Sequence, residues 1–130
     1  MSYVWSDGGR AEAGYKGATG DCGARALAIA MEIPYKRAYK ILAGAAKIAG
    51  RPKSARNGIS CETMDAVMAG LGWTYFPVPR QEGGEATAKA MPPGRLVAYM
   101  TNHYAAVVDQ VVHDTGDCSQ REVHGFWRKR

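Results

Sequence analysis

Three residues carry side chains suited to nucleophilic catalysis: Cys22 and, about 80 positions downstream, His103 and Asp114. Cys22 lies at the predicted start of an apolar helix, where unpaired backbone N–H groups and the positive end of the helix dipole favour a thiolate. The same N–H groups could receive the negative oxygen of a tetrahedral intermediate. Taken alone, a cysteine at a helix start is more often a packing residue than a nucleophile, because free cysteines are among the most buried residue types.

His103 opens the run NHYAAVVDQVVHD, which predicts a strand, a two-residue turn at 109–110 and a returning strand. In that register His103 and Asp114 share a face and lie diagonally opposite, while His113 points the other way. Asp114 could then orient the His103 ring, and the ring could act as base for Cys22. A three-residue turn would reverse which side chains share a face, and His113 would then be the candidate base instead. On these residues alone, His103 as an ordinary strand residue and Asp114 as a turn residue stay open.

The first half of the chain predicts the helix that holds the cysteine and two further helices. The run DCGARALAIAME, which begins at Asp21, is apolar on almost every face, as is typical of a buried helix. Pro34 fits the first turn of a second, amphipathic helix that ends before Gly50. Ser60 is the expected N-cap of a third helix. Residues 1–20 have no sustained period and predict an irregular arm.

The second half changes to short β-type runs separated by turn residues. These runs are WTYFPV, RLVAYM, YAAVV and VVH, with a last strand in REVHGFW. Helices first and antiparallel strands afterwards predict an α+β fold, with the N-terminal helices packed on a C-terminal antiparallel sheet. With 46% hydrophobic and 22% charged residues, 1–130 is expected to form one globular domain.

Cysteine spacing and charge exclude several function classes. The three cysteines form no C-x-x-C pair, and their spacing to the histidines matches no zinc template, so neither a disulfide framework nor a metal site is expected. Cys61 and Cys118 are interpreted as incidental, and no cofactor is predicted. The net charge of +5 is interpreted as solvated basic faces, because no stacking aromatic set or nucleic-acid motif accompanies it. Without a signal peptide or an 18-residue apolar run, we expect a soluble cytoplasmic protein with no membrane partner.

The run GDCGARALAIA, with NHYAAVVDQVVHDTGD far downstream, resembles the papain-like cysteine peptidases. The resemblance is greatest to bacteriocin-leader-processing (double-glycine) peptidases, and small phage and prophage proteins look similar too. It covers residues 21–32 and 102–117. It implies a papain-like fold with Cys22 as nucleophile, His103 as base and Asp114 as the orienting residue. For a phage-encoded protein it also implies the host cytoplasm as location.

The same resemblance exposes a departure at the oxyanion hole. Leader-processing peptidases place a glutamine six residues before the cysteine, and in this chain that position is Lys16. Tyr15, Thr19 and Asn102 are the other donors considered. The sequence does not show which of these residues donates to the oxyanion.

The leading functional hypothesis is a cysteine peptidase that cleaves a peptide or isopeptide bond in a peptide or protein substrate through an acyl-enzyme. One alternative is a catalytically silent papain-like binding module that grips a host protein, for example as a phage anti-defence factor. Another is an NlpC-type cell-wall endopeptidase, which combines a D-C pair with a downstream histidine strand. Nucleic acid is not an expected partner.

Overall fold

The computed structural model describes residues 2–14, 21–48, 59–79 and 86–129. These ranges contain three α-helices and six strands, so the predicted α+β class is confirmed. The helices are α1 (Cys22–Met31), α2 (Tyr35–Ile48) and α3 (Cys61–Gly70). The strands are β1 (Tyr3–Trp5), β2 (Trp73–Pro77), β3 (Arg95–Met100), β4 (His103–Val108), β5 (Val111–Asp114) and β6 (Val123–Lys129).

The helices begin and end where local chemistry requires. α1 ends at Glu32, which adopts a left-handed conformation with φ of 56° and returns its N–H to the last turn. At the start of α3, the Ser60 hydroxyl accepts a hydrogen bond from the Thr63 N–H at 3.2 Å, as the predicted N-cap should. In the part of the chain that the structure describes, no helix has the length and apolar character needed to cross a bilayer.

The six strands form one sheet in the order β1-β5-β4-β3-β6-β2. Every neighbouring pair is antiparallel except β1 and β5, which run parallel. The expectation of an irregular arm over residues 1–20 is therefore wrong at Tyr3–Trp5, and the sheet is mixed rather than antiparallel. β1 forms because the outer edge of β5 offers unpaired backbone groups to an extended segment.

The hairpin between β4 and β5 has the predicted register. Val108 pairs with Val111 and Ala106 with His113, across a two-residue turn. Both turn residues have positive φ, 49° at Asp109 and 70° at Gln110, as a type I′ turn requires. The two-residue turn fixes which side chains share a face, and it excludes the three-residue alternative.

The sheet buries side chains on both faces. The helices cover one face, where α1 packs on β3, β4 and β5. Trp127 is fully buried in this layer, and its indole N–H donates to Asp65 at 2.9 Å. The other face is covered by the segment around the short 3₁₀ turn Ala88–Ala90 and by Cys118. The strand ends near His103 and Asp114 thus lie between two packed layers.

Candidate active site

The three candidate catalytic residues come from three element ends that meet at one end of the sheet. Cys22 is the first residue of α1, His103 the first of β4 and Asp114 the last of β5. α1 contacts both strands, which brings the helix start beside the two strand ends. Cys22 and His103 are partly buried and Asp114 is 4% exposed, so the cluster is shielded but open on one side.

Gly23 lets the start of α1 approach its neighbours closely. A Cβ at this position would lie 3.2 Å from the Met64 side chain, 3.4 Å from Leu42 and 3.7 Å from the ring of Tyr104. Contacts at 3.2 Å are already tight for side-chain carbons, so a larger residue would push the helix start away from β4. The small residue after Cys22 therefore helps to set the separation between the helix and the strand that carries His103.

Asp21, directly before the nucleophile candidate, has its carboxylate turned into the protein. It is fully buried, forms ion pairs with Arg10 and Arg25, and accepts a hydrogen bond from the Tyr35 hydroxyl. As the N-cap of α1, Asp21 makes no side-chain hydrogen bond to the first turn. The Asp21 carboxylate therefore leaves the N–H groups at the start of α1 uncapped, as an oxyanion site requires.

Asp114 holds His103 by a short hydrogen bond. His103 Nε2 lies 2.6 Å from Asp114 Oδ2, so the ring nitrogen left for the Cys22 thiol is Nδ1. The other carboxylate oxygen, Oδ1, accepts from the Thr115 N–H at 2.7 Å and faces the Arg25 guanidinium at 3.4 Å. This carboxylate is fixed from both sides, so it can fix the orientation of the ring in turn.

The charges of the site favour an ion pair between thiolate and imidazolium. Burial of Cys22 opposes its ionisation, but its interactions with the His103 ring, with the Tyr104 N–H and with Arg25 lower its pKa overall. Burial of the His103 ring would lower its pKa, but the hydrogen bond to Asp114 and the neighbouring thiols Cys118 and Cys22 raise it to about 11.

Asp114 and Arg25 complete this charge balance. Burial would raise the pKa of Asp114, but the hydrogen bond with His103, the Thr115 N–H and the charges of His103 and Arg25 lower it. Arg25 forms ion pairs with both Asp21 and Asp114. Its guanidinium thereby links α1 to the Asp114 carboxylate at the end of β5.

Cys118 is the residue of this site that the sequence analysis missed. It is not incidental, because it is 7% exposed and its thiol donates to Asp114 Oδ2 at 3.6 Å. One signal in the sequence could have found Cys118, namely that cysteine side chains are usually buried. A cysteine four residues after Asp114 in a polar loop is more easily explained if the loop folds back on the strand. Cys61 is the first residue of α3, and burial together with Asp65 and Glu62 raises its pKa.

No family model, curated protein or solved structure matches this chain. Among the described residues, Cys22, His103 and Asp114 bring a thiol, an imidazole ring and a carboxylate into one cluster, which is the set of groups that nucleophilic catalysis by cysteine uses.

Of the oxyanion candidates, the structure describes Asn102. Lys16 and Thr19, like Tyr15, lie outside the described residues. Asn102 is exposed in the turn directly before His103, with φ of 54°, and lines an open pocket of about 520 Å³. The pocket is polar, and its other lining residues come from the turn before β4 and the loop before β6: Thr101, Gln120, Arg121 and Glu122. The role of Asn102 as an oxyanion donor stays a prediction.

Proposed function

We propose that this chain is a papain-like cysteine hydrolase that cleaves a peptide or isopeptide bond through Cys22, His103 and Asp114. The observation that carries the proposal is the 2.6 Å hydrogen bond between His103 Nε2 and Asp114 Oδ2, in a cluster where interaction between Cys22 and His103 lowers the pKa of the thiol and raises that of the ring. A structural histidine needs one polar partner, whereas a catalytic base needs an acceptor on one ring nitrogen and the nucleophile on the other.

In the acylation step, the Cys22 thiolate attacks the carbonyl carbon and a C–S bond forms. The negative oxygen is received by N–H groups at the start of α1, which Asp21 leaves uncapped. The C–N bond then breaks as the His103 imidazolium gives its proton to the leaving amine. Asp114 keeps the ring oriented and offsets its charge while it is protonated.

In the deacylation step, neutral His103 takes a proton from water, and the resulting hydroxide equivalent attacks the thioester carbon. The C–S bond breaks, the acid product leaves, and the protonated ring again faces the Cys22 thiolate. The pocket lined by Asn102, Arg121 and Glu122 would receive the leaving side of a peptide or protein substrate, since Asn102 directly precedes His103.

The test is the pH profile with which iodoacetamide alkylates each cysteine, followed by peptide mass spectrometry. Because only the thiolate reacts, an ordinary thiol slows by about 100-fold between pH 8 and pH 6. We expect Cys22, whose pKa is lowered, to slow by a clearly smaller factor over this range. Cys61 provides an internal reference, since its pKa is raised.

The His103→Ala variant should return Cys22 to the steep profile of an ordinary thiol. His113→Ala is the matched control, because this histidine lies on the neighbouring strand with its side chain on the other face of the hairpin. A steep Cys22 profile in the unmodified protein would remove the hydrolase proposal. It would favour the catalytically silent binding module instead.

A further inference from the structure

Asp114 Oδ2 is shared by two donors, and the proposed hydrolysis uses one of them. His103 Nε2 lies 2.6 Å from this oxygen and Cys118 Sγ lies 3.6 Å from it. The ligand atoms of all three residues lie within 4.8 Å of one another. A triad needs the histidine and the carboxylate, so the thiol that approaches from the loop after β5 has no part in that chemistry.

Histidine nitrogen, carboxylate oxygen and cysteine sulfur are the three ligand types that zinc takes from proteins. With the usual zinc bond lengths, neighbouring ligand atoms of a tetrahedral site lie about 3.4 to 3.6 Å apart. The separation between Asp114 and Cys118 already has this value, at 3.6 Å. The contact between His103 and Asp114 would have to open by about 0.8 Å, which a small rotation of either side chain allows.

Charge and access agree with this arrangement. A divalent ion at the shared oxygen would replace the proton of the thiol and one proton of the ring, so the net charge of the enclosed site would not change. Asp114 and Cys118 are buried, whereas the His103 side chain is 18% exposed and gives the ion a way in.

We infer that His103, Asp114 and Cys118 form a binding site for a zinc ion. His103 Nε2 can hold either the proton that it donates to Asp114 or the metal, so the zinc-bound form and the proposed triad exclude each other. The metal would leave a neutral ring, which is a far weaker acid than an imidazolium toward a leaving amine. The site itself follows from the geometry and does not depend on the proposed function.

The experiment uses the full chain with cobalt alone as a spectroscopic probe and zinc alone as its competitor. The double variant Cys22→Ser and Cys61→Ser leaves Cys118 as the one cysteine of the sequence. We expect this protein to bind one cobalt ion, with a thiolate-to-cobalt charge-transfer absorption that zinc abolishes. Such a band can arise in that variant from Cys118 alone. No band would overturn the inference, whatever the result of the alkylation test.

Titration of zinc against a chromogenic chelator then locates the site. Cys118→Ser should weaken zinc binding by more than the roughly 10- to 100-fold that loss of a supporting contact around a metal causes. Cys61→Ser is the matched control and should leave the affinity unchanged. If zinc binds Cys118→Ser as tightly as the unmodified protein, or if Cys22→Ser abolishes binding, the assignment to these three residues is wrong.

Discussion

Replacing Cys22 with serine tests whether the thiol and the His103 ring form an ion pair in the folded protein. The two side chains interact, and their pKa values move apart, with the thiol lowered and the ring raised. Serine keeps the shape but cannot ionise in this pH range. The variant should therefore change how the free energy of unfolding depends on pH, and not only its value.

The two groups contribute to stability with opposite signs. The pKa of His103 rises from 6.5 to about 11 on folding, so its contribution is fully present below pH 6.5 and is lost as the pH rises toward 11. The pKa of Cys22 is lowered from 9.0 on folding, so its contribution is fully present above pH 9.0 and is lost as the pH falls through the folded value.

Between pH 6.5 and pH 9.0 these two slopes oppose each other in the unmodified protein. Above the folded pKa of Cys22 they cancel, because the folded pair holds one proton on the ring and the unfolded pair holds one proton on the thiol. In Cys22→Ser, burial still opposes the charge on His103, but Asp114 keeps the ring protonated, while the unfolded chain loses that proton. The free energy of unfolding should then fall by about 1.4 kcal/mol per pH unit, or about 3 kcal/mol over the window.

The measurement is urea unfolding followed by tryptophan fluorescence at several pH values from 6.5 to 9.0, with reductant and a chelator present. Cys61→Ser is the control and should follow the unmodified protein. Other ionisable groups near the pair, such as Arg25 and Cys118, are present in both proteins and cancel in the comparison. Parallel profiles for the unmodified protein and Cys22→Ser would refute the ion pair, because a neutral pair or a lone imidazolium gives the same slope with and without the thiol.

Two further predictions concern the packing that positions the site. Asp21→Asn removes the buried charge that Arg10 and Arg25 share, and it should destabilise the protein by about 3 to 5 kcal/mol in urea unfolding. The exposed Asp117→Asn keeps a side-chain oxygen that can accept from the Ser119 N–H, so it should destabilise much less. Gly125→Ala places a Cβ against the Tyr75 ring and should lower the free energy of unfolding by about 1 to 3 kcal/mol, measured by thermal unfolding. Gly70→Ala is the control and should not destabilise the protein, because the space around Gly70 is open.

The parts of the site that the sequence predicted depend on short stretches of chain. The contact between His103 and Asp114 follows from a two-residue turn and from the alternation of side chains, so the facing of both residues was set within twelve positions, 103–114. Likewise, the burial of α1 follows from an apolar pattern within one helix. Local geometry determines such features because few conformations of a short segment are compatible with them.

Features that depend on distant segments were missed. Residues 3–5 are strand-favouring types, but a run of three is too short to predict a strand, and it becomes one because β5, far away in the chain, offers an edge. Cys118 is close to Asp114 in sequence, but its contact depends on how the loop 115–122 closes over the sheet. Strand propensity alone predicts neither result, because both depend on which parts of the sheet stay uncovered after the other elements have packed.

Arg25 makes one contact that is local in the sequence and one that joins distant segments. Its ion pair with Asp21 joins residues four apart on one helix turn, which the sequence allowed, whereas its contact with Asp114 joins the two halves of the chain. One guanidinium thus holds the carboxylate before Cys22 and the carboxylate behind His103. Because both acids are buried, a shift of α1 along the sheet would leave a charge unpaired at a cost of several kcal/mol. The helix start is therefore held in register with the strand ends by electrostatics as well as by packing, and it is this register that keeps the thiol beside the ring.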